Sequence, residues 1–187
     1  MIVKEIKKDA EIKMKKAVEA VRREFSEVRT GRAHPGLIEG LHVNYYGTLT
    51  LLKQMASISV PDPKTVVIQP WDPSAIPDIE KAINSSKLGI MPNNDGKIIR
   101  LNVPPLSEER RNELKKVVKD MAEHGRISLR TIRRDANEKI KKSQHDKVIS
   151  EDDSFKGQEE VQKLTDIYIK EVDKVLADKN QELAEFH

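Results

Sequence analysis

Arg130 and Arg133 stand one helical turn apart in the run Arg126-Ile-Ser-Leu-Arg130-Thr-Ile-Arg133-Arg134, and neither has an acidic residue three or four positions away. Those are the positions at which helical side chains meet. Like charges stacked at that spacing destabilise a helix by roughly 0.2–0.5 kcal/mol per pair, whereas a Glu–Lys pair supports it. The same segment contains ordinary pairs: Glu123 is within reach of Arg126, and Arg134 of Glu138. Two guanidinium groups without local partners read either as a solvated basic face or as groups presented to something outside the chain. A guanidinium offers a planar fork of donors that matches phosphate oxygens, so RNA is the first candidate partner.

Other chemistry finds little support. There is no cysteine, which excludes disulfides and thiolate chemistry, and five histidines are scattered without metal-ligand spacing. Gly31-Arg-Ala-His-Pro-Gly36 resembles a phosphate-binding loop, but Leu-Ile follows where Lys-Ser/Thr is needed. Asn93-Asn-Asp-Gly96 lacks the spaced carboxylates of a calcium loop, and Ser150-Glu-Asp-Asp153 reads as a helix start. Tyr45 and Tyr46 have the rings to stack on bases, but strand alternation places one of them in a core, which favours a structural role. The expectation is a protein that is not an enzyme, holds no cofactor or metal, and draws on a partner for any energy it uses.

Charge sharpens the RNA reading. The net charge is only +3, but residues 1–32 carry +4, residues 107–143 carry +5 and residues 150–187 carry −6, while 33–106 balance. A polarised surface with one face attractive to polyanions is expected. No apolar run is long enough for a signal peptide or for the ~20 residues of a membrane span, so a cytoplasmic protein without a membrane partner is expected.

The elements that must position these arginines come from hydrophobic period. From about residue 3 to 29, Ala10, Met14, Ala17, Val21 and Val28, flanked by Val18 and Phe25, predict one helix with a single buried stripe. Leu114, Val118, Met121, Gly125, Leu129, Ile132, Ala136 and Ile140 predict a second, with Ser107 as N-cap and Glu108 and Glu109 in its first turn. Val161, Leu164, Tyr168, Val172, Val175, Leu183 and Phe186 predict a third, starting near Ser150. At ~1.5 Å per residue these helices run roughly 40 to 60 Å, and none can bury its stripe alone. A three-helix bundle in which the acidic helix lies against the two basic ones is the economical solution.

Between Gly31 and Pro105 the period changes, and most of the nine prolines and eight glycines fall there. Residues 41–45, 56–60, 65–68 and 97–103 are strand candidates, Pro61-Asp-Pro63 and Asn93-Asn-Asp-Gly96 are turn signals, and Ile76 to Ile83 suits one short helix. The fold class is therefore α+β: residues 1–30 plus 105–187 form a discontinuous three-helix bundle, and 31–104 form an inserted β/α/β domain. Two segments cross between them, at Thr30-Gly31 and at Pro104-Pro105. Gly31 can absorb a backbone rotation and the prolines are stiff, so a limited hinge is expected at Thr30, Gly31, Pro104 and Pro105.

Several motifs, in this order, carry a family resemblance: Val28-Arg-Thr-Gly-Arg-Ala-His-Pro-Gly36, Tyr45-Tyr-Gly-Thr48, Leu88-Gly-Ile-Met-Pro-Asn-Asn94, Pro105-Leu-Ser-Glu-Glu-Arg-Arg111, Ile132-Arg-Arg-Asp-Ala-Asn137, Ile149-Ser-Glu-Asp-Asp153 and Val161-Gln-Lys-Leu-Thr165. Together they make the chain similar to bacterial ribosome recycling factors along its whole length. The resemblance implies an L-shaped molecule and a translation factor that binds the post-termination ribosome. With elongation factor G as partner, such a factor splits the ribosome into subunits. Carried over by position, the arginines that the family uses against large-subunit rRNA are Arg29, Arg32, Arg130 and Arg133. Arg29, like Arg130 and Arg133, has no acidic neighbour at helical spacing. A monomer is expected. His34 stands where many relatives have a small polar residue or Asn, and no function is attached to it. The rival reading is a helical interaction module or chaperone whose basic face binds acidic protein segments.

Overall fold

The computed structural model describes residues 1–185. Its first compact unit comprises Met1–Arg29 and Glu109–Leu183, and its second is built on Thr30–Glu108. The sequence places the junctions at 30/31 and 104/105; the boundaries of the compact units fall at 29/30 and 108/109.

Three long helices form the first unit: α1 (Ile2–Glu27), α3 (Glu108–His145) and α4 (Glu151–Glu185). Between α1 and α3 lies α2 (Ile76–Ser85), which belongs to the second unit. The buried stripe of α1 is Ala10, Met14, Val18, Val21 and Phe25. Val18 and Phe25 thus lie on the stripe rather than beside it, and Ala17 and Val28 are only half-buried. On α3, Ala122 takes the core position expected of Met121, and Ile132 is half-buried. On α4, Val161, Leu164, Tyr168, Val172 and Leu183 are buried, Val175 is half-buried, and Phe186 lies outside the described residues. Ser150 starts α4 as expected: its Oγ accepts from the Asp153 backbone N–H at 3.1 Å and donates to Asp153 Oδ2 at 2.8 Å.

Two interior glycines mark close approaches of the helices. A Cβ on Gly125 of α3 would collide with Val21 Cγ2 of α1 and touch Val172 of α4. A Cβ on Gly157 of α4 would lie 2.7 Å from Val3 Cγ1 and 3.3 Å from Ile140 Cδ1. These contacts run α3 antiparallel to α1 and α4. The acidic helix then meets the basic ones through Lys7–Glu160 (2.9 Å), Arg22–Glu171 (3.7 Å) and Arg126–Asp173 (2.6 Å).

The second unit holds two sheets. Strands β1 (His42–Tyr45) and β2 (Thr48–Leu51) form an antiparallel hairpin. Its two-residue turn, Tyr46-Gly47, has φ of 49° and 80°, the paired positive values that match a twisted hairpin. Strands β3 (Ala56–Asp62), β4 (Thr65–Pro70), β5 (Pro92–Asn94) and β6 (Ile99–Asn102) form a sheet in the order β3-β4-β6-β5. All its neighbours are antiparallel. Strands β2 and β5 have no counterpart in the sequence-derived set. Val66, Ile68, Ile99 and Leu101 share a core with Ile76, Ile79 and Ile83 of α2. Pro61 is tolerated because β3 is an edge strand and its register shifts between Ser59 and Asp62.

Two hydrogen bonds tie the entry and exit of this unit to one turn: Ala33 N–H donates to the Pro63 carbonyl and Val103 N–H to that of Lys64, both at 2.8 Å. Gly31, just outside, has φ +82°, and a Cβ there would lie 3.0 Å from Leu106 Cγ. Proline, with φ locked near −65°, is excluded from that conformation. His34 has a local task, its Nδ1 accepting from Gly36 N–H at 3.0 Å to cap the short turn Pro35–Leu37. Tyr45 donates its hydroxyl to Asp72 Oδ2 at 2.5 Å, while Tyr46 is 80% exposed. Asp72 also accepts from the Ser74 backbone and hydroxyl, at 3.0 and 2.7 Å, where the chain turns into α2.

Gly125→Ala gains about 1 kcal/mol of helix propensity but overpacks against Val21, whose branched side chain is stiff in a helix. We expect a net loss of about 1–2 kcal/mol by urea unfolding. Gly40→Ala, with open space around it, should stay within about 0.5 kcal/mol. Equal effects at both sites would refute the close-approach argument.

The Tyr45–Asp72 bond predicts a pH signature. The bond to Asp72 raises the Tyr45 phenol from 10.0 to about 12, so its contribution is complete below pH 10 and disappears as pH rises through about 12. Asp72 is lowered from 3.8, chiefly by Tyr45, so its contribution holds above pH 3.8 and fades as pH falls through its folded value. The stability difference between wild type and Tyr45→Phe should therefore be widest near neutrality and narrow on both sides. A difference that is constant with pH would contradict this.

Candidate nucleic-acid interface

Arg126, Arg130 and Arg133 rise along α3 at spacings of four and three, so they share one side of the helix. Their environments differ. The Arg126 side chain is only 18% exposed: Nε and Nη2 donate to Asp173 Oδ1 at 2.8 and 2.6 Å, and Nη1 donates to Glu123 Oε2 at 3.1 Å. Burial pulls its pKa down, but the bonds to Asp173 and Glu123 outweigh that and raise it. This arginine fastens α3 to α4.

Arg130 is not unpaired as the spacing rule predicts. Its Nη1 donates to Glu123 Oε1 at 3.0 Å. Glu123 lies seven residues upstream, and seven residues come within ~20° of two full turns, so both long side chains lie over one face. A rule limited to one turn cannot see that contact. Glu123 thus bridges two arginines, and their hydrogen bonds, that of Arg130 first, hold its carboxyl below the usual glutamate value.

Arg133 has a neutral partner from the next helix. Its Nη1 donates to Gln162 Oε1 at 3.1 Å, and Gln162 Nε2 donates to Asp166 Oδ1 at 2.8 Å, which fixes the amide's orientation. Among the described residues, its guanidinium has no direct carboxylate contact. Arg134, expected to pair with Glu138, is exposed and forms no ion pair among the described residues.

Arg29 is exposed just beyond the extended C-cap Val28 and has no side-chain partner among the described residues. Arg32 is also exposed, although it makes contacts within the chain. The Val21–Gly125 contact puts Arg29 and Arg130 on opposite sides of one level of the bundle, about 20 Å apart along the axis at ~1.5 Å per residue. The structure thus brings Arg130 and Arg133 together and leaves Arg29 as a separate point. Sequence spacing misses Gln162 altogether, because only the α3–α4 register brings it to Arg133.

The model of the family described as ribosome recycling factor matches residues 21–183. The chain belongs to the ribosome recycling factor family. It is 52% identical to the ribosome-recycling factor of Natranaerobius thermophilus over 96% of this chain and 97% of that one. It is 54% identical to that of Symbiobacterium thermophilum over 98% and 100%. Among solved structures, it resembles the solution structure of a ribosome recycling factor, with TM-score 0.68, 42% identity and 98% coverage of both chains. It also resembles a chain described among models for the T. thermophilus ribosome recycling factor and the E. coli elongation factor G bound to the E. coli post-termination complex. That match has TM-score 0.61 and 42% identity, covering 98% of this chain and 99% of that one. No helix among the described residues is long and apolar enough to cross a membrane.

The contrast between the arginines is measurable without any ligand. Arg133→Ala loses one half-exposed bond and gains helix propensity, so stability should change by less than about 0.5–1 kcal/mol. Arg126→Ala removes a shielded guanidinium shared by two acids and should cost about 1–2 kcal/mol. Chemical denaturation of both variants tests the ranking; the reverse order would show Arg133 to be the structural residue.

Proposed function

We propose that the protein binds the post-termination ribosome through large-subunit rRNA and, with elongation factor G, splits it into subunits for recycling. GTP hydrolysis by that partner supplies the energy. The protein itself is not an enzyme and works as a cytoplasmic monomer without a cofactor. One observation carries this reading: a chain that aligns over 98% of its length with a ribosome-recycling factor presents two adjacent guanidinium groups on one helix face. Phosphate oxygens are the ligands that such forks fit best. Arg29, just past the end of α1, and Arg32, in the second unit, are each assigned a further rRNA contact.

Splitting requires a lever as well as an anchor. Two segments cross between the compact units, and the hinge is assigned to Thr30, Gly31, Pro104 and Pro105. Each pair lies between a helix end and the backbone clamp at Ala33 and Val103. Gly31 already occupies a positive φ, and stiff prolines form the other strut.

Binding to isolated large subunits, titrated with salt, tests the anchor. Arg133→Ala should weaken affinity roughly ten- to hundredfold, the equivalent of about 1.5–3 kcal/mol for charged hydrogen bonds, and make the salt dependence shallower. Unchanged affinity and salt slope would remove the α3 face from the binding surface.

A further inference from the structure

The carboxylate of Glu123 sits between two arginines of the α3 face. Oε1 accepts from Arg130 at 3.0 Å and Oε2 from Arg126 at 3.1 Å, so one two-oxygen anion is shared by two guanidinium forks. We infer that Glu123 is an internal competitor for RNA phosphate: it occupies Arg130 in the free protein and yields it when the protein binds. The inference rests on the reading of this face as an rRNA anchor.

Three observations support an exchange at Arg130 rather than a permanent pair. First, the Arg130 and Glu123 side chains are both about half exposed (44% and 45%), so a phosphate can reach the bond. Exposed pairs of this kind are weak and easily exchanged. Second, releasing Arg130 does not strand the carboxylate, because Glu123 keeps Arg126. Arg126 cannot leave in the same way: it is shielded and held by two bonds to Asp173. Third, Arg130 uses a single Nη1 bond, so the rest of its fork remains available to an incoming oxygen. The neighbouring Arg133 is supported by the neutral amide of Gln162 and needs no such exchange. One arginine of the pair is therefore ready and the other masked. This limits attraction to arbitrary polyanions and keeps the bound state reversible, since a competing anion waits beside the contact.

The test is a double-mutant cycle in the full chain, with wild type, Glu123→Gln, Arg130→Ala, the double variant and Arg133→Ala. Binding to isolated large subunits is measured across several salt concentrations, with thermal unfolding as a check on folding. Gln keeps the shape and one acceptor oxygen but removes the charge. Glu123→Gln should bind about threefold tighter, within the up to about fivefold range that an exposed ion pair spans, and the logarithmic salt slope should steepen by up to about one. In the Arg130→Ala background the same substitution should have no effect. Unchanged or weaker binding of Glu123→Gln would overturn the inference, because Glu123 would then be inert or would act only to orient Arg130. Equal tightening with and without Arg130 would overturn it as well, leaving a general field effect. If Arg133→Ala also binds like wild type, the rRNA reading of the face fails with it. A normal Arg133 effect with a flat Glu123 response sinks the competitor alone.

Discussion

The axial register of the three long helices is the constraint on which the rest of the first unit depends. None of α1, α3 or α4 can bury its stripe by itself, and two of their close approaches lie where a side chain is missing. Gly125 admits Val21, and Gly157 admits Val3 and Ile140. With one close approach at each of two levels, a slip of one turn (about 5.4 Å) would set the branched side chains against residues that carry a Cβ. The polar surface follows from that register. Asp173 stands opposite Arg126 and Gln162 opposite Arg133 because the buried contacts put them there. The ion pairs between acidic and basic helices are mostly exposed, so they confirm the register more than they create it.

The α3 face shows why counting charges is a poor guide to a binding surface. Arg126, Arg130 and Arg133 are identical in type and nearly consecutive on the helix. Yet one is a fastener, one is shared with a carboxylate, and one is supported by a neutral amide. What separates them is the identity of the second group, supplied by α4 or by a glutamate two turns away. A guanidinium already satisfied by two acids adds little to the field felt by a phosphate, whereas one supported by an amide keeps its full charge.

The inserted unit is built on different physics. Its core is a sheet face covered by α2, and its edges are limited by short or irregular strands: β3 carries Pro61 and a register shift, and β5 is three residues long and begins with Pro92. Single polar side chains organise several segments at once. Asp72 receives the Tyr45 hydroxyl and caps the turn into α2, and Asp95 Oδ1 accepts the N–H groups of Lys97 and Ile98, both at 3.0 Å, to bring β5 back onto β6. The backbone bonds at Ala33 and Val103 close the unit on itself. That closure is what lets a long insertion interrupt a helical bundle.

Hydrophobic period made the three long helices legible, since a stripe repeated over 26 to 38 residues leaves little room for another period. The capping chemistry of Ser150, the strands β1, β3, β4 and β6 of the insertion, and Arg29, Arg130 and Arg133 as arginines without acids one turn away were legible for the same local reason. Strand β5 was not, because Pro-Asn-Asn has no strand propensity and becomes a strand only by pairing with β6. Strand β2 does carry a signal, the alternation Thr-Leu-Thr-Leu after a Tyr-Gly turn, but its pairing with β1 is what makes it a strand. Val18 and Ala122 are the core residues in place of the expected Ala17 and Met121, because the helical period permits a step of three or of four and does not choose between them. Gln162 became a partner of Arg133 only in the folded bundle, across to α4, whereas Glu123 reaches Arg130 along α3 itself, two turns away and beyond the one-turn spacing rule. The sequence determined which groups carry charge, on which helix, and which can meet along it; tertiary structure decided which of them α4 satisfies, because those contacts depend on distances between segments far apart in the chain.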